Sequence, residues 1–264
     1  MFTINPFSEL SGFISPLAMQ VYVIVMILLV AGGTILDMMH KKSAQYFFEN
    51  AEKAKAAATK SVSGGKKAGI AIATVASDVL ASAEFCNQRR RLAHLLTMYG
   101  FILFAATTAI MIFGYADAGA ATPVSLPLLW HLGALMLCVG GYWFWFVIRV
   151  DVSAEGNPWY RVIRADLFIL SLLATATFAL LWSATQAIGI AGLQTLFFCL
   201  FILSSTVLFG GVLWSKFAHM FFKPAAAFQK RIAKADGSRD GLPEPADKPE
   251  QFGLGIKRLE PKNY

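Results

Sequence analysis

Four histidines, His40, His94, His131 and His219, are the only imidazoles in this 264-residue chain. Two of them sit where one iron could use both. His94 follows Arg89, Arg90 and Arg91 and lies three residues into an apolar stretch, while His219 closes another in the run WSKFAHMFFKP. Both stand at basic ends of apolar segments, which puts them at matching depth on different helices. A b-type haem needs one imidazole above and one below its iron, each nitrogen about 2 Å away, and its propionates favour cations. His94 and His219 are therefore the expected metal ligands, with Arg90, Arg91 and Lys216 expected beside the cofactor and Lys223 also available at that depth.

His131 separates from this pair by depth. It lies about six residues into its apolar stretch from the opposite end, roughly 9 Å in by helical rise, so one iron cannot join it to His94. His40 stands at the basic end of the first apolar stretch and could replace either ligand, or could exchange protons with a quinone together with Asp37. His131, next to Trp130, could line a quinone pocket near the other face. An ionisable group inside a membrane is a functional candidate by default, and a neutral imidazole bonded to a neighbouring helix would satisfy His131 equally well. Cys86, Cys138 and Cys199 are scattered singly, whereas an iron–sulfur cluster needs about four closely spaced thiolates. No cluster is expected in this chain.

The elements that must carry these groups are membrane spans. The apolar stretches 17–39, 92–115, 125–148, 167–187 and 191–215 are each long enough to cross about 30 Å of hydrocarbon. Between Asp166 and Lys216 no Asp, Glu, Lys or Arg occurs. All 23 lysines and arginines fall in residues 41–91, 149–164 and the tail from Lys216, and none in residues 1–16, 116–124 or 188–190. By the positive-inside rule the N-terminus is expected outside and the C-terminus in the cytoplasm. This predicts an all-α, five-helix membrane bundle in a bacterial inner membrane. The net charge of +7 is explained by orientation, since basic residues that flank apolar spans are not a nucleic-acid-binding face.

Four regions follow: residues 1–40 with the first span, a cytoplasmic amphipathic loop at 41–91, a four-helix haem-binding core at 92–223, and a partner-binding tail at 224–264. The first span, long and without a basic flank before it, is expected to remain as an anchor. The loop reads as an interfacial hairpin, helix-prone from Lys42 to Lys60, broken by Ser61, Ser63, Gly64 and Gly65, then helix-prone again through Ile70, Ile72, Val75, Val79, Leu80 and Phe85. The tail reads as a short basic helix ending about Ala235 and then a Gly- and Pro-containing segment that could order along a partner through Phe252, Leu254 and Ile256. The pairs Gly32–Gly33, Gly140–Gly141 and Gly210–Gly211 are expected to let helices or a macrocycle approach closely. Tyr142 to Phe146 reads as an interfacial aromatic belt that could also pack on a porphyrin edge. Asp37, Asp117 and Asp166, at span ends, are read as needing no buried partner. Five spans do not divide into the equal halves of a transporter, and the loops hold no constellation for a soluble-substrate enzyme.

With His94 behind RRR at the start of span two and His219 in SKFAHMFFKPAAAFQKR after span five, residues 17–230 resemble the cytochrome b membrane subunits of respiratory nitrate reductases, the gamma-like family. Relatives of these subunits occur in heterodisulfide-reductase-like and sulfite-reductase-associated complexes. That resemblance implies electron exchange between membrane quinones and an iron–sulfur subunit on the inner face. Nitrate reductase gamma subunits use two histidines on each of two spans for two b haems; this chain has one on each, so only the inner haem is implied. The inner loop and the tail DGLPEPADKPEQFGLGIKRLEPKNY are most similar to the membrane anchors that accompany dissimilatory adenylylsulfate reductase. This implies a soluble flavin and iron–sulfur partner on the cytoplasmic face. A haem-free structural anchor is the alternative.

Overall fold

The structure, a computed structural model, describes all residues except 1, 42, 84, 86, 152–155, 213–218, 239–250, 253–255 and 258–264. Its helices are α1 (Pro16–Lys41), α2 (Ser43–Ala56), α3 (Gly64–Thr74), α4 (Gln88–Gly114), α5 (Ser125–Trp143), α6 (Leu167–Ile188), α7 (Ala191–Gly210) and α8 (His219–Ala235). π-helical turns follow α3 at Val75–Leu80 and α5 at Phe144–Ile148, and short 3₁₀ turns precede α1 and α6. A two-residue antiparallel ladder pairs Gln251 with Lys257 and Phe252 with Ile256. Leu254 lies outside the described residues. Five helices, α1, α4, α5 (continued by its π turn), α6 and α7, are long and apolar enough to cross a membrane. The chain is a multi-pass, helical membrane protein whose surroundings are lipid.

Local signals set the helix boundaries. Asn87 caps α4 by accepting from the backbone N–H of Arg89 (2.8 Å) and Arg90 (3.3 Å). Gly189 closes α6 at φ +80°, a left-handed conformation that glycine adopts without a Cβ penalty. The fifth span is shorter than the apolar run suggests. α7 stops at Gly210, and the Gly211 N–H closes its last turn onto the Val207 carbonyl. Two successive glycines weaken helix propagation at that point. His219 lies in α8, and residues 213–218 between α7 and α8 are outside the described residues.

The connections without lysine or arginine meet at one end of the bundle. Asn5 Nδ2 donates to the Tyr115 carbonyl (2.9 Å) and to Thr122 Oγ1 (3.2 Å), and Gln186 Nε2 donates to the Pro6 carbonyl (3.1 Å). Beneath this plug an aromatic core forms from Phe7, Phe104, Trp130, Trp182, Phe198 and Phe201. Trp130 stacks on Phe104 at 5.2 Å and Trp182 on Phe201 at 5.8 Å, while Phe7 meets both indoles edge-on. Such ring pairs contribute about 0.5–1.5 kcal/mol each beyond their burial.

At the other, basic end, the hairpin of α2 and α3 packs against α8. The Asp236 carbonyl accepts from the backbone of Thr59 (3.0 Å) and Lys60 (2.9 Å), and Arg231 grips Asp78 and Ser77. The expected helical hairpin and the end of the tail helix at Ala235 both agree with the structure. The expected boundary at 223/224 falls inside α8, so His219 and Lys223 share a helix with the start of the tail.

Candidate functional site

His94 lies on the second turn of α4, exposed on the bundle surface at its basic end. Its Nδ1 is 3.1 Å from Ser82 Oγ. Ser82 is buried and adopts φ +49°, a left-handed conformation outside the usual range for a residue with a side chain. That turn reverses the chain between the hairpin and α4 and presents Phe85 to the His94 ring at 4.8 Å. Two cations flank the same phenyl ring: the Arg90 guanidinium at 5.6 Å and the Lys223 ammonium at 5.3 Å from its centroid.

Several expected site residues are thereby brought together. Lys223 belongs to α8, so its contact with Phe85 sets the first turns of α8 beside His94. His219 lies on that helix one turn earlier. The His219 side chain and the whole of Lys216 lie outside the described residues. Arg91 is committed elsewhere, donating from Nε to the Ala81 carbonyl at 2.7 Å, where it braces the turn. Fixing an imidazole through Nδ1 is how proteins orient a ring whose Nε2 faces a metal. His94 could serve as an iron ligand of a b haem with Arg90 and Lys223 as cations for its carboxylates, and a second ligand would come from α8. Among the described residues no group of three or more His, Cys, Asp or Glu side chains gathers as a metal site.

The remaining histidines occupy different settings. His131 is fully buried in α5. A carbonyl can only accept, so Nδ1 donates to Pro127 O at 2.7 Å, and Nε2 accepts the Ser183 hydroxyl of α6 at 2.8 Å. Trp130 and Phe2 close on its ring at 4.9 and 5.0 Å. Nδ1 is thus engaged within α5 and Nε2 links α5 to α6, and delivering a proton to a quinone would require breaking one of these bonds. His40 is exposed at the end of α1, and Asp37, three residues earlier on the same face, is buried.

The burial of Asp37 and Asp166 corrects the expectation for aspartates at span ends; Asp117 alone of the three is exposed. Asp166 pairs with Arg149, a residue with no role in the sequence reading. Arg149 is fully buried, donates through Nε and Nη2 to the Asp166 carboxylate, and donates to the carbonyls of Asn157 (3.1 Å), Pro158 (2.8 Å) and Arg161 (2.7 Å). Its guanidinium lies 4.2 Å above the Trp145 ring. The planar five-donor head is matched almost completely, as burial of a charge requires. Trp145 is therefore a buried floor for Arg149, whereas Tyr142 and Phe146 stay exposed and stack on one another at 6.0 Å. The signal available in sequence was the aromatic run ending at a lone arginine. The π turn at Phe144–Ile148, which rotates Arg149 inward, carries no comparable sequence mark.

Comparison with family models, curated proteins and solved structures finds nothing that matches this chain.

Proposed function

We propose that this protein is the haem b-containing membrane subunit of a quinone-linked oxidoreductase in a bacterial inner membrane. It passes electrons between a soluble flavin and iron–sulfur enzyme on the cytoplasmic face and the quinone pool. Adenylylsulfate reductase is the partner that the resemblance of loop and tail favours. The observation that carries this reading is the His94 ring, held through Nδ1 by Ser82 and bordered by Arg90 and Lys223, with the helix that carries His219 alongside.

In this reading His94 and His219 hold the group from two helices, and Arg90, Lys216 and Lys223 receive its carboxylates. The chemistry supplied by a bound b haem would be one-electron exchange at iron. Ser82 holds the orientation of the His94 ring through Nδ1. The basic layer formed by α2, α3 and α8 offers an acidic partner a complementary face. His40 with Asp37, or His131 on the other side, supplies the protons that quinone reduction consumes.

The reduced-minus-oxidised visible spectrum tests the assignment directly. Purified wild type is expected to show a b-type alpha band, and His94→Ala and His219→Ala are each expected to lose it. An equal band in wild type and both variants overturns the ligand pair. Absence of any band in wild type leaves the haem-free structural anchor as the reading.

A further inference from the structure

One cavity among the described residues has no assigned role and contains no histidine. It has a volume of about 730 Å³ and lies between α1 and the faces of α4, α6 and α7. On α1 its lining runs from Met19 to Ile35, roughly 24 Å along the helix. Volume spread over that length leaves a cross-section of about 30 Å², the width of a single hydrocarbon chain. Ile27 and Ile35 line the cavity and are also exposed, so it opens sideways to the surrounding lipid.

The polar groups along this channel are unevenly distributed. Tyr22 and Ser205, near its uncharged end, are bonded to each other at 2.7 Å, and Tyr22 also bonds Thr206 (3.0 Å) and the Ile202 carbonyl (3.2 Å). They are already satisfied and are poor readers for a polar ring. Thr34 lines the basic end, and its hydroxyl is buried with no protein partner. It stands seven residues before Lys41, about 10 Å by helical rise, just inside the charged band. That is the level at which the ester carbonyls of a phospholipid lie below its phosphate.

We propose that this channel binds one acyl chain of a membrane glycerophospholipid. The Thr34 hydroxyl donates to the ester carbonyl, and the phosphate lies toward the basic residues beyond His40. An empty channel of this size beside bulk lipid would forfeit dispersion contacts along its whole lining, which an extended chain restores. The bound lipid is then a structural part of the seating of α1. This inference does not depend on haem binding.

Native mass spectrometry of protein purified in mild detergent, with extraction and identification of the retained lipid, tests it. Wild type is expected to keep about one phospholipid per chain, as expected for a single site. Ala105→Phe combined with Ala109→Phe fills the channel from α4 and is expected to reduce retention by at least about tenfold, since the chain loses its contacts. Ala106→Phe, on the exposed side of the same helix, is expected to retain lipid as wild type does. Thr34→Val preserves shape and removes the donor, so retention should fall roughly fivefold, the worth of one net hydrogen bond. The proposal is overturned by wild type that keeps no phospholipid, by an isoprenoid quinone as the retained species, or by Thr34→Val and the double variant both retaining lipid as wild type does.

Discussion

The seam between α4 and α5 and the seat of α1 are two solutions to packing helices where no water drives them together. In the seam, backbone meets backbone. A Cβ added at Gly133 would lie 2.7 Å from the Phe104 nitrogen, at Gly100 2.8 Å from the Gly133 carbonyl, and at Gly140 2.7 Å from the Ala93 carbonyl. Glycines at 133 and 140 on α5 repeat every two turns, Gly133 facing Gly100 and Gly140 facing Ala93 and Thr97 on α4, so the two helices touch along their length. α1 is different. Only 11% of its apolar window is buried, against 44% for α5 and for α6. Gln20 donating to the Ile112 carbonyl and Tyr22 bonding α7 pin one end, and Gly33 against Val212 pins the other. The cavity separates these attachments. Close contact in lipid comes from removing side chains, and where they are kept the gap opens to lipid.

Glycine substitutions are the sharpest way to break this contrast. Gly133→Val should destabilise the bundle by at least about 3 kcal/mol in reversible denaturation from micelles, because the clash is with backbone that cannot rotate away. Gly32→Ala should do the opposite. Nothing lies within 4 Å of a Cβ there, and alanine in a helix is favoured over glycine by about 0.8–1 kcal/mol. If Gly32→Ala proved as damaging as Gly133→Val, α1 would be as tightly seated as α5, and the distinction would fail.

The buried ion pair offers a second, slightly smaller break. Replacing Arg149 by Met leaves Asp166 charged and buried without its partner, and also frees the carbonyls of Asn157, Pro158 and Arg161. Removal of one member of a buried pair typically costs about 3–5 kcal/mol, and water reaching the end of the bundle should bring this toward the lower figure. Arg149→Met with Asp166→Leu should recover much of the loss, since two well-packed apolar residues avoid the desolvation penalty. The double-mutant cycle in denaturant separates pairing from the bracing of the connection.

Sequence made some of this architecture legible and not the rest, for physical reasons. Spans are set by the thickness of hydrocarbon, so runs of apolar residues marked all five, and turn-forming residues marked the break between α2 and α3 and the end of α8. Contacts between helices are not written in that pattern. Gly140–Gly141 does lie in an interface, yet Gly32 faces open space and Gly210 has only Leu29 at 3.9 Å, so doublets alone do not identify seams. Gly100 and Gly133, single glycines, make backbone approaches as close as that of Gly140. At the candidate site, His94 and its cations were evident from charge beside an apolar run, whereas Ser82 and Phe85 depend on a left-handed turn that no residue-type rule places there. Arg149 was read only as a topogenic charge because the π turn that buries it is a tertiary effect.

The smallest expected effect lies in the basic layer, where α8 docks on the hairpin. Hydrogen bonds from Arg231 to Asp78 hold that carboxyl below the usual carboxylate range, against the opposing effect of its burial. A carboxyl depressed on folding contributes stability above its unfolded pKa of about 3.9, and loses that contribution as pH falls through its folded value. The α8 contact should therefore loosen on acidification below about pH 4 and not between pH 5 and 8. Asp78→Asn should reproduce the loosening at neutral pH, at a cost of no more than about 1 kcal/mol, since Arg231 is partly exposed. Hydrogen exchange of residues 226–235 is the measurement, with exchange in α5 as the internal reference. Equal acceleration in both places would mean that the layer does not open separately from the bundle.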